Sequence, residues 1–115
     1  MAKSHADAVR LRQVLKLLAL LGHSIRIVIL QRLAREPMAA GELAQTLPVS
    51  RTAIVQHLKL LESAGVVCAT YHGKRRVYRL RADGLRPIAQ WIEKVSGEAG
   101  RGVRKRGRKR GDKRA

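Results

Sequence analysis

Pro48-Val49-Ser50-Arg51-Thr52-Ala53-Ile54-Val55-Gln56-His57-Leu58-Lys59-Leu60-Leu61 is the stretch whose reading decides the fold of this chain. Ser50 suits a helix N-cap, because its hydroxyl can accept from an unpaired backbone N–H of the first turn. Ile54, Leu58 and Leu61 recur at i, i+4 and i+7 and form a stripe that must face a core. At about 100° per residue, Thr52, Gln56 and Lys59 fall roughly opposite, with Arg51 and Val55 at the margin. Arginine, glutamine and hydroxyl side chains suit base edges and phosphates. Alone, the pattern reads equally as an ordinary amphipathic surface helix. Its neighbours separate the two readings.

Upstream, Ala40-Gly41 leads into a short helix over Glu42–Leu47, which Pro48 breaks. Two helices joined by so tight a turn match a helix-turn-helix. Downstream, the long helix ends near Ser63-Ala64-Gly65, and Val66–Tyr71 is rich in β-branched residues, as strands are. His72-Gly73-Lys74-Arg75 reads as a hairpin tip, with Gly73 available for positive φ. Arg76–Arg81 alternates polar and apolar residues, the period of a half-buried strand. The result is a basic two-stranded ribbon carrying Lys74, Arg75, Arg76, Arg79 and Arg81, with no acid between residues 71 and 82.

Residues 8–21 hold Val9, Leu11, Val14, Leu15, Leu17, Leu18, Leu20 and Leu21, more apolar circumference than one core needs. Such a helix buries its second side in its own core or against a second subunit. Gly22 is placed to end it as a left-handed cap. A second helix opens at His23-Ser24, turns Ile25, Ile29 and Leu33 inward, and stops at Glu36-Pro37. Asp83 is expected to cap a last helix with Pro87 in its first turn. Its apolar face is Leu85, Ile88, Ala89, Ile92 and Val95, with Trp91 off centre. The reading divides the chain into a flexible N-terminus (1–7), a folded domain (8–95) and a basic disordered tail (96–115).

The 115 residues carry 25 Lys and Arg against 8 acids, a net charge of +17. Residues 96–115 hold nine of those cations and two of the acids, so the folded part is basic without its tail. This excess makes nucleic acid the leading partner and an anionic membrane surface the second. One cysteine excludes an intramolecular disulfide. No apolar run approaches the ~20 residues of a membrane span, and the N-terminus lacks the pattern of a secretion signal. No phosphate loop, carboxylate pair or nucleophile–base set emerges, so the chain does not read as an enzyme.

Taken in order, these elements resemble the ArsR/SmtB family of bacterial winged-helix repressors over about residues 10–95. The resemblance rests on Leu20-Leu21-Gly22-His23-Ser24-Ile25-Arg26, Gly41-Glu42-Leu43-Ala44, Ser50 to Leu61, Glu62-Ser63-Ala64-Gly65-Val66-Val67 and Gly73-Lys74-Arg75-Arg76-Val77-Tyr78-Arg79-Leu80. It implies a mainly α, dimeric winged helix-turn-helix (α-α-α-α-β-β-α) with a small β-hairpin. It also implies a homodimer whose first and last helices pack across a two-fold axis. Leu11, Val14, Leu18, Ile88, Trp91 and Ile92 are the residues assigned to that contact. The recognition helix (50–63) would enter the major groove of a pseudo-palindromic operator, and the wing (71–77) would run on the minor groove or backbone. Repression in the bacterial cytoplasm, on the nucleoid, is the implied role. Family contact positions fall on Arg51, Thr52, Val55 and Gln56. Relatives often carry serine where this chain has Val55, which cannot hydrogen-bond a base edge but can touch a thymine methyl or simply pack, so base reading is assigned to Arg51, Thr52 and Gln56. Phosphate contact is assigned to Ser50, Lys59, Lys74, Arg75 and Arg76.

The family's metal motifs are absent. Ala39–Ala44 contains no cysteine, and residues 84–95 contain no histidine and one acid, Glu93. No metal or cofactor is expected, and no inducer can be named. His23 reads as a cap or packing residue, His57 as a DNA contact or packing residue, and His72 as a phosphate contact or a solvated loop residue. Cys68 reads as a small apolar side chain or, alternatively, as a redox or metal sensor. Lys105–Asp112 is nearly a four-residue repeat, suited to sequence-independent affinity for phosphates or to a neutral tail. The competing function is non-specific, architectural coating of nucleic acid.

Overall fold

The computed structural model describes residues 5–107. The chain runs α1 (His5–Leu21), α2 (Ser24–Arg35), β1 (Met38–Ala39), α3 (Ala40–Thr46), α4 (Arg51–Ser63), β2 (Val67–His72) and β3 (Arg75–Leu80). A 3-10 turn (Ala82–Leu85) then leads into α5 (Arg86–Gly107). This is the expected mainly helical winged fold with one addition. Met38 and Ala39 pair antiparallel with Tyr78 and Val77, so the ribbon is a three-stranded sheet in the order β1-β3-β2. A two-residue strand has no periodicity of its own. Only its partner reveals it.

The core forms where α2, α3 and α4 meet the base of the sheet. Ile29, Leu43, Ile54, Leu58, Leu61, Val66 and Val67 are essentially fully buried there. Burial of each such side chain contributes roughly 1.5–3 kcal/mol relative to exposure. α2 begins on His23, whose Nδ1 accepts from the Ile25 N–H at 3.3 Å, and ends where Glu36 turns extended before Pro37. His23 is therefore a cap, as expected. α1 and α2 meet at a 98° bend, and no single described helix is long and apolar enough to cross a membrane.

α4 ends in a Schellman closure: the Gly65 N–H reaches the Glu62 carbonyl at 2.9 Å and the Val66 N–H reaches that of Leu61 at 3.0 Å. Gly65 takes φ +78°, which frees the chain to turn directly into β2. Gly73 is the other described residue with positive φ, at +68°, and it sits first in the two-residue hairpin turn, as a type II′ turn requires.

Several expectations are corrected. Gly22 is not a left-handed cap, since Gly65 and Gly73 are the only described residues with positive φ; α1 closes through the Gly22 N–H on the Ala19 carbonyl at 3.4 Å. Asp83 does not cap α5. It lies inside the 3-10 turn and pairs with Arg86 at 2.9 Å, while Pro87 does fall in the first turn. Residues 5–7 already belong to α1, and α5 continues past Ser96 through Gly107. Once a helix is nucleated, adding a residue to it costs little, and Glu98, Ala99, Lys105 and the arginines of this stretch favour the extension, against four glycines that each weaken it by about 1 kcal/mol relative to Ala. Residues 1–4 of the expected flexible N-terminus and 108–115 of the expected disordered tail lie outside the described residues.

The two-sided apolarity of α1 splits in the structure. Val14 and Leu17 face inward and are buried, while Leu11, Leu15 and Leu18 stay exposed on the adjoining stripe. Trp91, Ile92 and Val95 of α5 are exposed as well. Val14 (4% exposed) and Ile88 (9%) were assigned to a subunit contact, yet they are already buried within the protomer. They hold α1 and α5 in place, and the free apolar surface belongs to their neighbours.

Candidate nucleic-acid interface

The geometry of the candidate interface starts at Ser50. Its hydroxyl accepts from the Ala53 N–H at 3.1 Å, and its carbonyl accepts from Ile54 at 3.0 Å, which fixes where α4 begins. With the start fixed, the burial of Ile54, Leu58 and Leu61 sets the rotation of the helix. Arg51, Thr52, Gln56 and Lys59 consequently all lie exposed on its outer side. Val55 is half-buried against the core, so packing accounts for the valine at this position.

The structure brings Arg51 toward α3 and the wing. Its guanidinium lies beside Gly41, and an open cleft of about 540 Å³ is lined by Gly41, Glu42, Gln45, Arg51 and Arg75. Glu42 organises this corner. One carboxylate oxygen accepts from the Ala39 N–H at 2.8 Å, completing the first turn of α3, and the other pairs with Arg75 at 2.6 Å.

Side chains at 75 and 76 project from opposite faces of β3. Arg75 therefore reaches α3, while Arg76 reaches α4, donating to Glu62 at 3.1 and 3.4 Å. The Arg76 guanidinium also lies 5.7 Å from the ring centroid of Tyr71 and 5.3 Å from that of Tyr78. The tyrosines and Glu62 hold this guanidinium more firmly protonated than usual. Burial raises the pKa of the Tyr78 phenol, with Arg76 opposing the shift. Of the wing cations assigned to phosphate, Arg75 and Arg76 thus anchor the wing to the two helices. Lys74, at the tip, is exposed and has no ion pair among the described residues. His72 shares a hydrogen bond of 3.3 Å with the Thr70 hydroxyl on the same strand face.

Behind α4, His57 takes the packing role, through a partner, Arg26, that the sequence does not point to. Arg26 donates to His57 Nδ1 at 3.1 Å and to the Leu20 carbonyl at 2.9 Å. The His57 ring meets that of His23 edge-on, with centroids 4.7 Å apart. Burial, the His23 ring and the Arg26 cation all lower the His57 pKa. His57 is thus a buttress between α2 and α4. The contact between residues 31 apart has no local signal. Cys68 is half-buried on β2, opposite Arg79 on β3. No group of three or more His, Cys, Asp or Glu among the described residues is placed to hold a metal ion.

Comparison with known proteins agrees with this geometry. Residues 21–67 match the family described as a helix-turn-helix domain. The chain is 44% identical over 84 residues to the HTH-type transcriptional regulator Rv2034 of Mycobacterium tuberculosis, covering 69% of this chain and 78% of that protein. An ArsR-like transcriptional regulator from Rhodococcus sp. RHA1 superposes with a TM-score of 0.68 at 33% identity, over 80% of this chain and 87% of that one. The homodimeric winged helix-turn-helix DNA-binding domain of Mb0332 from Mycobacterium bovis, described as a possible ArsR-family regulator, superposes with a TM-score of 0.65. It is 29% identical and covers 85% of this chain and 91% of its own. With a helix-turn-helix whose polar face is open, a basic wing and relatives of this kind, the chain belongs to the ArsR/SmtB family of winged helix-turn-helix, DNA-binding transcriptional regulators.

Proposed function

We propose that the protein is a homodimeric repressor that reads a pseudo-palindromic operator through α4. The observation that carries this reading is the division of α4: one side is wholly buried, and Arg51, Thr52, Gln56 and Lys59 occupy the open side. Arg51 and Gln56 supply the donors and acceptors that distinguish base pairs in the major groove, with Thr52 as a shorter reader. Ser50, Lys59 and Lys74 contact phosphate, and Arg75 and Arg76 set the height of the wing above the backbone. Leu11, Leu15 and Leu18 of α1 with Trp91, Ile92 and Val95 of α5 form the dimer contact, and the homodimeric M. bovis domain supports that assembly. A two-fold dimer presents two α4 helices to successive major grooves, which is why the operator is pseudo-palindromic. Bound there, it occludes the same DNA from the transcription machinery, on the nucleoid of the bacterial cytoplasm.

The test is enrichment of genomic fragments followed by titration at one stated salt concentration. A specific repressor binds its enriched fragment at least about 10³-fold more tightly than random DNA. Equal affinity for both would establish the architectural reading instead. Sedimentation of the wild type and of Leu18→Glu separates the dimer from the fold: the variant is expected to be monomeric with unchanged helix content.

A further inference from the structure

On the side of α4 away from the wing lies a groove of about 630 Å³, within the range of small-molecule sites. α1 forms one wall with Gln13, Lys16, Leu17 and Leu20. α4 forms the other with Leu60, Ser63 and Ala64, and the segment from Arg81 to Pro87 closes the end. Two features together mark it as a candidate ligand site. The first is its apolar floor. Leu60 remains 45% exposed although it sits on the recognition helix, where neither the core nor base reading uses it. The second is its charge. Arg10, Arg75, Arg76 and Arg86 each pair with a carboxylate, whereas Lys16 and Arg81 have no ion pair among the described residues. The acid lining this groove, Asp83, pairs with Arg86. Two uncompensated cations therefore stand over an apolar surface.

We propose that this groove is a binding site for a small amphipathic anion, an aliphatic or aromatic monocarboxylate. The carboxylate would lie between the Lys16 ammonium and the Arg81 guanidinium, which can present a paired donor fork. The Gln13 amide supplies a further donor. Ser63 does not, because its hydroxyl donates to the Leu60 carbonyl at 2.9 Å. The hydrocarbon body covers Leu17, Leu20 and Leu60. A DNA phosphate matches the cations but not the floor, and a neutral hydrocarbon matches the floor but leaves the cations uncompensated. A bound anion would touch both the recognition helix and the entry to α5. The site does not depend on the operator reading, since its occupancy is measured without DNA.

The experiment titrates the full-length protein with octanoate, and separately with octanol, following backbone amide shifts by NMR. Octanoate is expected to shift the amides of Leu17, Leu60, Ala64 and Gly84 saturably, with octanol at least tenfold weaker. Lys16→Ala/Arg81→Ala is expected to weaken octanoate at least tenfold. Arg12→Ala/Arg35→Ala removes the same charge elsewhere and is expected to leave its affinity unchanged. Failure of octanoate to saturate these amides, equal binding of octanol, or equal loss in both double variants would overturn the site. Helix content by circular dichroism checks that each variant is folded. Failure of sequence-specific DNA binding would overturn the repressor reading and leave this site standing.

Discussion

Arg76 donates to both carboxylate oxygens of Glu62 across the space between β3 and the end of α4. The pair is half exposed, with side-chain exposures of 43% and 34%, so water screens it and its share of folding stability is small. Its consequence is positional: with Arg75 on Glu42, it fixes the wing to the same two helices that form the helix-turn-helix. The wing is thereby tied to α3 and α4 by one ion pair each.

Glu62→Gln should weaken DNA binding, although it removes a negative charge beside the surface proposed to bind DNA. A loss of roughly 0.5 kcal/mol, about twofold, is expected from releasing the pair. Anisotropy titrations at fixed salt give the sign. Tighter binding would show that Glu62 acts only as a repelling charge.

Leu58→Ala and Gln56→Ala separate the two sides of one helix. Leu58 is fully buried, and its truncation should cost roughly 2–5 kcal/mol in urea unfolding. Gln56 is exposed, and its truncation should change stability by less than about 0.5 kcal/mol. That same change should cost roughly 1–3 kcal/mol on the preferred sequence and much less on random DNA. Equal losses on both DNAs would remove Gln56 from base reading.

Ser50 has two proposed roles that substitution can divide. Ser50→Ala removes the cap on the Ala53 N–H and should destabilise the protein by about 1 kcal/mol. Ser50→Asp should restore the cap, since a carboxylate also accepts that N–H, yet weaken DNA binding by repelling phosphate. If Ser50→Asp binds as tightly as wild type, Ser50 stands away from the backbone.

His57 predicts a pH dependence with a definite sign. Its folded pKa lies below the unfolded value of 6.5, so below that value the unfolded chain binds the extra proton first. Stability should fall as pH drops from 6.5 through the lowered folded pKa and level off beneath it. Protonation takes the Nδ1 lone pair from Arg26 and sets a cation beside that arginine and the His23 ring. Melting temperatures between pH 8 and pH 5 for wild type and His57→Gln isolate this group from the other histidines. Parallel profiles would contradict the assignment.

Removing residues 97–115 takes away nine cations and two acids. The dependence of log affinity on log salt should become shallower, because fewer counterions are released. Preference among sequences should persist, since α4 is intact. An unchanged slope would mean that this segment does not touch DNA.

Much of this protein is written in local patterns. The i, i+4, i+7 stripe of Ile54, Leu58 and Leu61 and the cap at Ser50 each depend on neighbours in the chain, so they are legible residue by residue. The outward rotation of Gln56 and Lys59 follows from that stripe. The half-buried alternation expected over Arg76–Arg81 does not hold: β3 lies between β1 and β2, and its consecutive Val77 and Tyr78 are both buried, one on each face. What was not legible depends on distance. Met38 and Ala39 are a strand only because Tyr78 and Val77 lie beside them. Arg75 and Arg76 read as free cations until folding sets Glu42 and Glu62 against them. Val14 and Leu11 are both apolar, and only the packing of α1 against α2 and α5 decides that one is buried and the other open. Helical and strand periodicity arise from steric rules acting over a few residues, which a sequence records directly. Which charges meet, and which apolar stripe stays uncovered, depends on how whole elements pack, and only the tertiary structure decides that.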